Sequence, residues 1–375
     1  DAMRLFDERF QDTKDTIVVI DEIQDSAKVY SLIRQFAREF SCDFIITGSY
    51  LGKTLSREYF QPVGDLDIMI LDTLTFEEFL DAEGKRDLYN SVDLYGKSSH
   101  EAYDELKRYY DLYCQIGGYP AVVKTYLETR DMEICQTELD RVIHIFTEES
   151  QGYFDNVLDI NLFGQLLPAV AQTMIREKKG SVDLITELSK IVYKQESGRL
   201  SKKSINQAIA WLYRSHILDF CGKANDCNPT DISANSRFYF LDVGVCRSFL
   251  DMAGADLPTL CGIVNENFVY IDLLKRVRSR KISGTAPMFG LYKEGEIDFL
   301  VNSRENYKTY GVEVKSGKTE GKTAQLLLKD EKVEAVYFLK GDTYGGIADR
   351  KVTVPIYLVG RMQFDFVKEH TPGSS

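Results

Sequence analysis

The sequence is poor in the residues that build soft metal centres. It contains four histidines among 375 residues, and its seven cysteines are scattered without a C-x-x-C pair. A histidine-rich metal site is therefore not expected. An odd number of cysteines without metal-ligand spacing is typical of reduced thiols, so the sequence predicts a cytoplasmic protein.

Long apolar runs and a basic charge balance are also missing. No apolar run approaches the roughly 20 residues that a membrane span needs, and the opening "DAMRLFDERF" does not resemble a secretory signal. The net charge of -12 argues against a strongly basic nucleic-acid binder taken as a whole. A local basic face remains open.

A phosphate loop is the most informative absence. The motif G-x-x-x-x-G-K-[ST] wraps backbone N–H groups around phosphates, and the chain does not contain it. Two near matches, "GSYLGKT" (48–54) and "GKTEGKT" (317–323), have one residue too few between their glycines. The first also follows the acidic strand described below, whereas a phosphate loop precedes it. We interpret both as turns.

The first 75 residues alternate helix and strand. "TIVVI" (16–20), "DFIITGS" (43–49) and "LDIMILDTL" (66–74) are each predicted to be buried strands. Continuous apolar strands separated by helices indicate a parallel sheet covered on both faces, hence an α/β fold. The length of the chain predicts two or three domains.

Two of these strands end in residues suited to a nucleotide site. Asp21 and Glu22 follow the first, where Asp21 would hold Mg²⁺ through water and Glu22 would polarise an attacking water. Thr47 and Ser49 end the second, where a hydroxyl can sense a γ-phosphate. Alternatively, Asp21 and Glu22 only cap the following helix. The second polar strand end favours the nucleotide site.

The middle of the chain is predicted to be helical. Residues 76–165 are rich in Glu, Leu and Tyr, and one helix is expected to stop at Gly117-Gly118 before Pro120. Residues 166–241 give helix, turn, helix and hairpin, which is the winged-helix order. The alternative is a helical pair followed by an unrelated hairpin.

The last third contains a second candidate site. Asp298 lies on one predicted strand and Glu313 and Lys315 on the next, where alternation puts the latter two on one face. If the strands are neighbours, Asp298 joins them. Two carboxylates can bind Mg²⁺, and a lysine can orient water against a phosphodiester.

This pattern resembles the PD-(D/E)xK nuclease fold, whose first helix often adds another acid, here Glu266. The alternative is a solvated pair, Glu313 and Lys315, on an edge strand. Such domains also keep the fold after losing the chemistry, so the sequence leaves metal-dependent cleavage open.

Two basic stretches could contact nucleic acid. Lys202 and Lys203 open the predicted recognition helix, and "KRVRSRK" places Lys275, Arg276 and Arg278 just beyond the Glu266 helix. Alternatively, the first pair lies on a solvated face and the second group offsets a helix C-terminus.

Eight stretches occur in this order along the chain: "VVIDEIQ", "FIITGSYLG", "LTFEEFL", "GGYPAVV", "FYFLDVGV", "GIVNENFV", "EIDFLV" and "VEVKSG". Together they resemble the bacterial and archaeal predicted ATPases of the AAA superfamily, which carry a C-terminal winged helix and a domain of unknown function. The resemblance implies a phosphate-loop segment ahead of Asp1. One departure is Asp65, which stands after Gly64 where the family tends to place a basic residue; Arg57 is the nearest substitute for a trans-acting arginine.

Together these patterns predict a multidomain α/β protein. We expect a partial AAA-type ATPase core at 1–75, a helical lid at 76–165, a winged-helix-like domain at 166–241 and a nuclease-like domain at 242–370. The full-length protein would bind ATP and Mg²⁺ and act on nucleic acid or a protein partner, with homo-oligomers left open. This chain alone is not expected to hydrolyse ATP. The rival interpretation is a non-catalytic interaction module on a degenerate nuclease-like scaffold.

Overall fold

The computed structural model has a mixed α/β architecture with two sheets, as the sequence predicts. One sheet has two strands and lies in the amino-terminal segment. The other has eight strands and lies in the carboxyl-terminal half. The structure describes residues 2–48, 67–154, 162–176, 184–195, 202–315 and 321–366.

The amino-terminal segment is a small parallel α/β unit. Strands β1 and β2 pair in parallel, with Ile17 opposite Asp43 and Ile20 opposite Ile46. Its elements are α1 (Ala2–Phe6), β1 (Ile17–Ile20), α2 (Ala27–Ser31), α3 (Ile33–Glu39) and β2 (Asp43–Ile46).

The prediction that these strands are fully buried is wrong on one face. Burial alternates along β1 and β2, so that Ile17, Val19 and Ile45 are exposed. The apolar composition led to the expectation of layers on both faces. Within the described residues, nothing covers this face of the two-stranded sheet.

The predicted third strand is also not observed. Residues 67–74 form no strand, and Ile68, Met69 and Leu71 are 74%, 85% and 89% exposed. An apolar run becomes a strand only when a neighbouring strand accepts its backbone hydrogen bonds. No such neighbour lies beside this segment in the part of the chain that the structure describes.

The following segment is helical, as predicted. A capping box formed by Thr75 and Glu78 starts α4, and α6 ends at Gly117 (φ 73°) just before Pro120 opens α7. The predicted helix end is thereby confirmed. The helices are α4 (Phe76–Ala82), α5 (Arg86–Ser91), α6 (His100–Ile116), α7 (Pro120–Thr129), α8 (Met132–Phe154), α9 (Leu162–Arg176), α10 (Leu184–Gln195) and α11 (Lys202–Arg214).

The carboxyl-terminal half forms one sheet of order β4-β3-β5-β6-β7-β8-β10-β9. A 3-10 helix, Ile356–Arg361, follows its last strand. The elements are β3 (Leu218–Ala224), β4 (Ile232–Phe240), α12 (Val243–Met252), α13 (Leu257–Arg278), β5 (Met288–Tyr292), β6 (Gly295–Asn302), β7 (Thr309–Lys315), α14 (Lys322–Lys329), β8 (Val336–Lys340), β9 (Gly346–Ala348) and β10 (Lys351–Pro355).

Strand β7 lies inside this sheet. It pairs antiparallel with β6 and parallel with β8, so the predicted neighbours are confirmed. The alternative of a solvated pair on an edge strand is excluded, because both edges of β7 are paired.

The β3–β4 hairpin belongs to the same sheet. Strand β3 pairs antiparallel with β4 and parallel with β5, where Gly222 lies opposite Met288. The expected boundary at residue 241 therefore runs through a continuous layer of hydrogen-bonded strands.

One hydrophobic core joins the helical segment to the large sheet. Its buried residues run from Phe76 to Phe364. Aromatic rings dominate the junction: Phe76 contacts Tyr110, Tyr113 and Phe268 at centroid separations of 5.9, 5.6 and 6.3 Å. Across the described ranges, no helix is long and apolar enough to cross a membrane.

Candidate functional sites

The carboxyl ends of β1 and β2 bring Asp21, Glu22 and Thr47 together. The Thr47 hydroxyl donates a hydrogen bond to Asp21 Oδ1, which also accepts one from the Glu22 backbone N–H at 3.1 Å. Backbone bonds hold the two strand ends in place, since Thr47 N donates to Ile20 O at 2.9 Å and Ile23 N donates to Thr47 O at 3.0 Å. The predicted convergence of these groups is therefore observed.

Glu22 occupies an unusual backbone conformation. Its φ of 51° lies in the left-handed region, which costs free energy for a residue with a side chain. Its carboxylate accepts a hydrogen bond from the Gln24 amide. The helix cap is provided instead by Ser26, whose hydroxyl accepts from Val29 N at 3.2 Å. Helix capping thus does not explain Asp21 and Glu22.

Some predicted features lie outside the described residues. Ser49, Arg57 and the rest of 49–66 are among them, as are residues 316–320 of the second near match to a phosphate loop. The described end of that near match, Gly321, is the N-cap of α14.

The second site lies on β6 and β7. Asp298 Oδ2 accepts a hydrogen bond from the backbone N–H of Val314 at 2.7 Å. Lys315 Nζ lies 2.8 Å from Glu313 Oε1. Glu313 is only 3% exposed, and its Oε2 has no hydrogen-bond partner within the described part of the chain. The three predicted residues are therefore brought together.

The electrostatics of this site show an excess of negative charge. Burial raises the pKa of Asp298 well above its usual value, and the carboxylates of Glu313 and Glu266 raise it further. Burial alone would lower the pKa of Lys315, but Asp298 and Glu313 raise it more. The raised pKa of Lys315 favours its ammonium form.

Glu266, on α13, has different partners. The Tyr239 hydroxyl donates to Glu266 Oε1, and Arg237 Nη1 lies 3.4 Å from the same oxygen. Arg237 Nη2 donates to Glu296 Oε2 at 2.9 Å, and the guanidinium lies over the Phe289 ring at 3.9 Å.

Sequence reasoning missed Arg237, Tyr239 and Glu296. Glu296 could have been found from the sequence, because it precedes Asp298 by two residues and so shares its face of β6. Arg237 and Tyr239 share a face of β4 for the same reason. No local pattern indicates that these faces of β4 and β6 reach Glu266.

Asp298 and Glu313 are the two carboxylates of this site that could hold a magnesium ion. Mg²⁺ binds oxygen ligands, commonly one or two carboxylates with the remainder supplied by water or substrate. The unpartnered Oε2 of Glu313 is a buried oxygen suited to that role. Within the described residues, no group of three or more His, Cys, Asp or Glu side chains is arranged to hold a metal ion, either around Asp298 and Glu313 or around Asp21.

The predicted nucleic-acid residues of α13 make contacts within the protein. The Arg276 guanidinium donates to Asp272 at 2.6 Å and to the backbone carbonyls of Val359 and Met362 at 2.6 and 2.7 Å. Arg278 pairs with both carboxylate oxygens of Asp72, at 2.8 and 2.9 Å. Nucleic-acid binding by these two arginines stays a prediction that would require them to exchange partners. Lys275 is partly buried.

Lys202 and Lys203 are exposed at the start of α11. Lys202 Nζ donates to Thr186 Oγ1 on α10 at 2.8 Å. Both lysines are therefore accessible to a partner, although Lys202 also links α11 to α10 through this hydrogen bond.

Several of the family-like stretches meet at a structural joint, which we call the Asp242 joint: Leu74, Gly117, Gly118, Asp242 and Gly244. Asp242 accepts hydrogen bonds from Gly118 N at 2.8 Å and from Val245 N at 3.0 Å. Leu74 N donates to Gly118 O at 2.8 Å. These stretches thus hold the helical segment against α12.

Two family models match parts of the chain. Residues 1–80 match an AAA domain, and residues 107–256 match a domain of unknown function, DUF8612. No curated protein matches the chain. The first match contains Asp21, Glu22 and Thr47 and supports an AAA-like ATPase domain. The second extends from α6 to the residue before α13 and includes most of the Asp242 joint.

Proposed function

We propose that this chain is part of an AAA-type ATPase coupled to a nuclease-like domain that acts on nucleic acid. The observation that carries the ATPase proposal is the convergence of Asp21, Glu22 and Thr47 at the carboxyl edge of two parallel strands, inside the residues that match an AAA domain. In the full-length protein, Glu22 would accept a proton from the attacking water, and Asp21 would hold Mg²⁺ through water.

ATP turnover tests this proposal. The 375-residue chain should show no turnover with Mg·ATP, because it has no phosphate-loop motif. In a longer form that supplies the loop, Glu22→Gln should lower kcat by about 100-fold or more, since the water would lose its proton acceptor. The exposed Glu8→Gln is the matched control. Robust turnover by the 375-residue chain, or an unchanged kcat in Glu22→Gln, would contradict the proposal.

For the carboxyl-terminal domain we propose magnesium-dependent cleavage of a phosphodiester. The buried, unpartnered Glu313 Oε2 beside Asp298 and Lys315 supports this chemistry. Asp298 and Glu313 would hold the ion, which supplies Lewis acidity and lowers the pKa of water. The Lys315 ammonium would stabilise the negative charge that develops on the phosphate.

The cleavage test uses linear and branched DNA with Mg²⁺ or Mn²⁺. Lys315→Ala and Asp298→Ala should each abolish cleavage. Lys332→Ala and Asp226→Ala are matched controls, because these residues form a surface ion pair at 2.9 Å, which contributes little to stability. Cleavage that survives both site substitutions would contradict the assignment.

The alternative is a non-catalytic interaction module. The exposed Lys202 and Lys203 at the start of α11 favour it, in a helix-helix-hairpin order suited to DNA or protein recognition. Absence of cleavage on every substrate, together with DNA binding that Lys203→Ala weakens, would support this alternative over the nuclease.

A further inference from the structure

The candidate nuclease site contains more charge than its four predicted residues, Glu266, Asp298, Glu313 and Lys315, supply. Two acids from α13 and β6 add to Asp298 and Glu313, and a second cation comes from the hairpin strand β4. Together there are four carboxylates and two cations. They are Glu266, Glu296, Asp298, Glu313, Arg237 and Lys315.

Hydrogen bonds divide these charges into two halves. In the first half, Arg237 bridges Glu266 and Glu296, at 3.4 and 2.9 Å. Its side chain is 7% exposed and lies over Phe289. A guanidinium so placed is fixed by packing on one side and by two carboxylates on the other, and it has little freedom to leave.

In the second half, Lys315 contacts one oxygen of Glu313, and the other oxygen has no hydrogen-bond partner among the described residues. Among the described acids of the site, Glu313 is the one with a buried carboxylate oxygen that has no hydrogen-bond partner. No set of three acidic, histidine or cysteine side chains in the described ranges is arranged around one position. Glu266 and Glu296 therefore do not join Asp298 and Glu313 as a common ligand set.

We propose that Arg237 is a positioning residue that occupies Glu266 and Glu296 and so limits the site to one divalent cation, held by Asp298 and Glu313. A guanidinium and a metal ion compete for the same carboxylate oxygens, and here the guanidinium holds them. With Asp298 ionised, the four carboxylates and two cations leave two negative charges in excess, which one divalent cation balances. The inference rests on the proposed metal-dependent site, and it makes the hairpin a part of that site.

The test is the stoichiometry of Mn²⁺ binding to the full chain, measured by isothermal titration calorimetry and checked by electron paramagnetic resonance. The wild type should bind one ion. Arg237→Gln should bind two, because Glu266 and Glu296 become available as oxygen ligands. Arg237→Lys should return to one ion, since a cation again lies between the two acids. A purely structural role of Arg237 would not change the stoichiometry.

A second pair of variants covers the case in which Arg237→Gln does not fold. Glu266→Gln should change the Mn²⁺ affinity by less than about threefold, because Glu266 is not a ligand. Glu313→Gln should weaken binding by about 10-fold or more, the scale expected when a metal ligand or its close support is lost.

Three outcomes would overturn the inference: two ions in the wild type, one ion with unchanged affinity in folded Arg237→Gln, or a loss in Glu266→Gln as large as that in Glu313→Gln. Failure of the underlying proposed function gives a different result. In that case the wild type and Glu313→Gln would both bind no Mn²⁺, and the inference would fall with it.

Discussion

At the scale of single residues, Asp242 shows how one buried carboxylate can join separate parts of the chain. It caps α12 through Val245 N and holds the α6–α7 turn through Gly118 N. Burial raises its pKa, although the hydrogen bonds that it accepts from backbone N–H groups oppose the shift. The folded protein therefore binds this proton more tightly than the unfolded chain does.

This shift predicts a pH dependence of stability. Because the folded-state pKa is raised, the contribution of Asp242 is greatest below the unfolded pKa of about 3.9 and declines as pH rises through the folded pKa. Asp242→Asn removes the titration. The free energy of unfolding of the wild type, relative to that of Asp242→Asn, should fall as pH rises from about 4 through the folded-state pKa of Asp242.

Urea denaturation at several pH values measures this difference. Asp226→Asn, on an exposed side chain, is the control and should show no comparable trend. A wild-type advantage over Asp242→Asn that stays constant with pH would contradict the prediction.

Site residues could be predicted where they lie on the same strand or on consecutive strands, and not where their partners are far away in sequence. Asp298, Glu313 and Lys315 follow from strand alternation and the pairing of consecutive strands, and Asp21 and Thr47 follow from parallel strand ends. The partners of Arg276 at residues 359 and 362, and of Arg278 at residue 72, are far away in sequence. No periodicity in a helix reveals such contacts, and the same limit explains why Arg237 was missed.

At the scale of elements, the Asp242 joint depends on the close approach of two backbones. A Cβ atom added to Gly244 in α12 would lie 2.7 Å from both Gly117 N and Ile116 O. Because these are backbone atoms, neither can move without shifting α6. Gly262, inside α13, has no atom within 4 Å of the same position.

The two glycines therefore predict opposite effects of alanine. Gly244→Ala should destabilise the protein by about 1–3 kcal/mol, as expected for overpacking against rigid neighbours. Gly262→Ala should stabilise it by up to about 1 kcal/mol, because alanine favours a helix interior more than glycine does. Chemical denaturation of the two variants beside the wild type measures both values. Equal effects of the same sign would show that the joint is not tightly packed.

Elements with strong local signals were predicted more accurately than strand partners. The stop of α6 at Gly117 and the start of α7 at Pro120 are set by local chemistry. The strand expected over residues 66–74 would have needed a neighbouring strand, and the composition of a segment does not show whether such a neighbour exists. The hairpin β3–β4 was predicted, but its pairing with β5 was not, because strand pairing across some 65 residues leaves no local trace.

At the scale of the whole molecule, the core that begins at Phe76 and ends at Phe364 crosses every domain boundary expected after residue 75. The helical segment, the hairpin and the nuclease-like strands contribute to it together. Within the described chain, no residue of 2–48 belongs to that core. The described residues after Phe76 therefore share one large core, and the small amino-terminal unit does not contribute to it.

This organisation predicts which fragments fold. A fragment of residues 72–375 keeps the Asp72–Arg278 ion pair and omits the exposed Ile68, Met69 and Leu71. It should unfold in one transition, with a Tm within about 2 °C of the main transition of the full chain, a shift that corresponds to about 1 kcal/mol.

A fragment of residues 72–241 should show no cooperative transition, because its hairpin loses β5 and its helices lose Asp242, α12 and α13. Calorimetry and near-ultraviolet circular dichroism distinguish the two. Cooperative folding of 72–241 would show that the helical and hairpin segments form a domain of their own. It would then argue against our proposal that the hairpin, which carries Arg237, is part of the metal site.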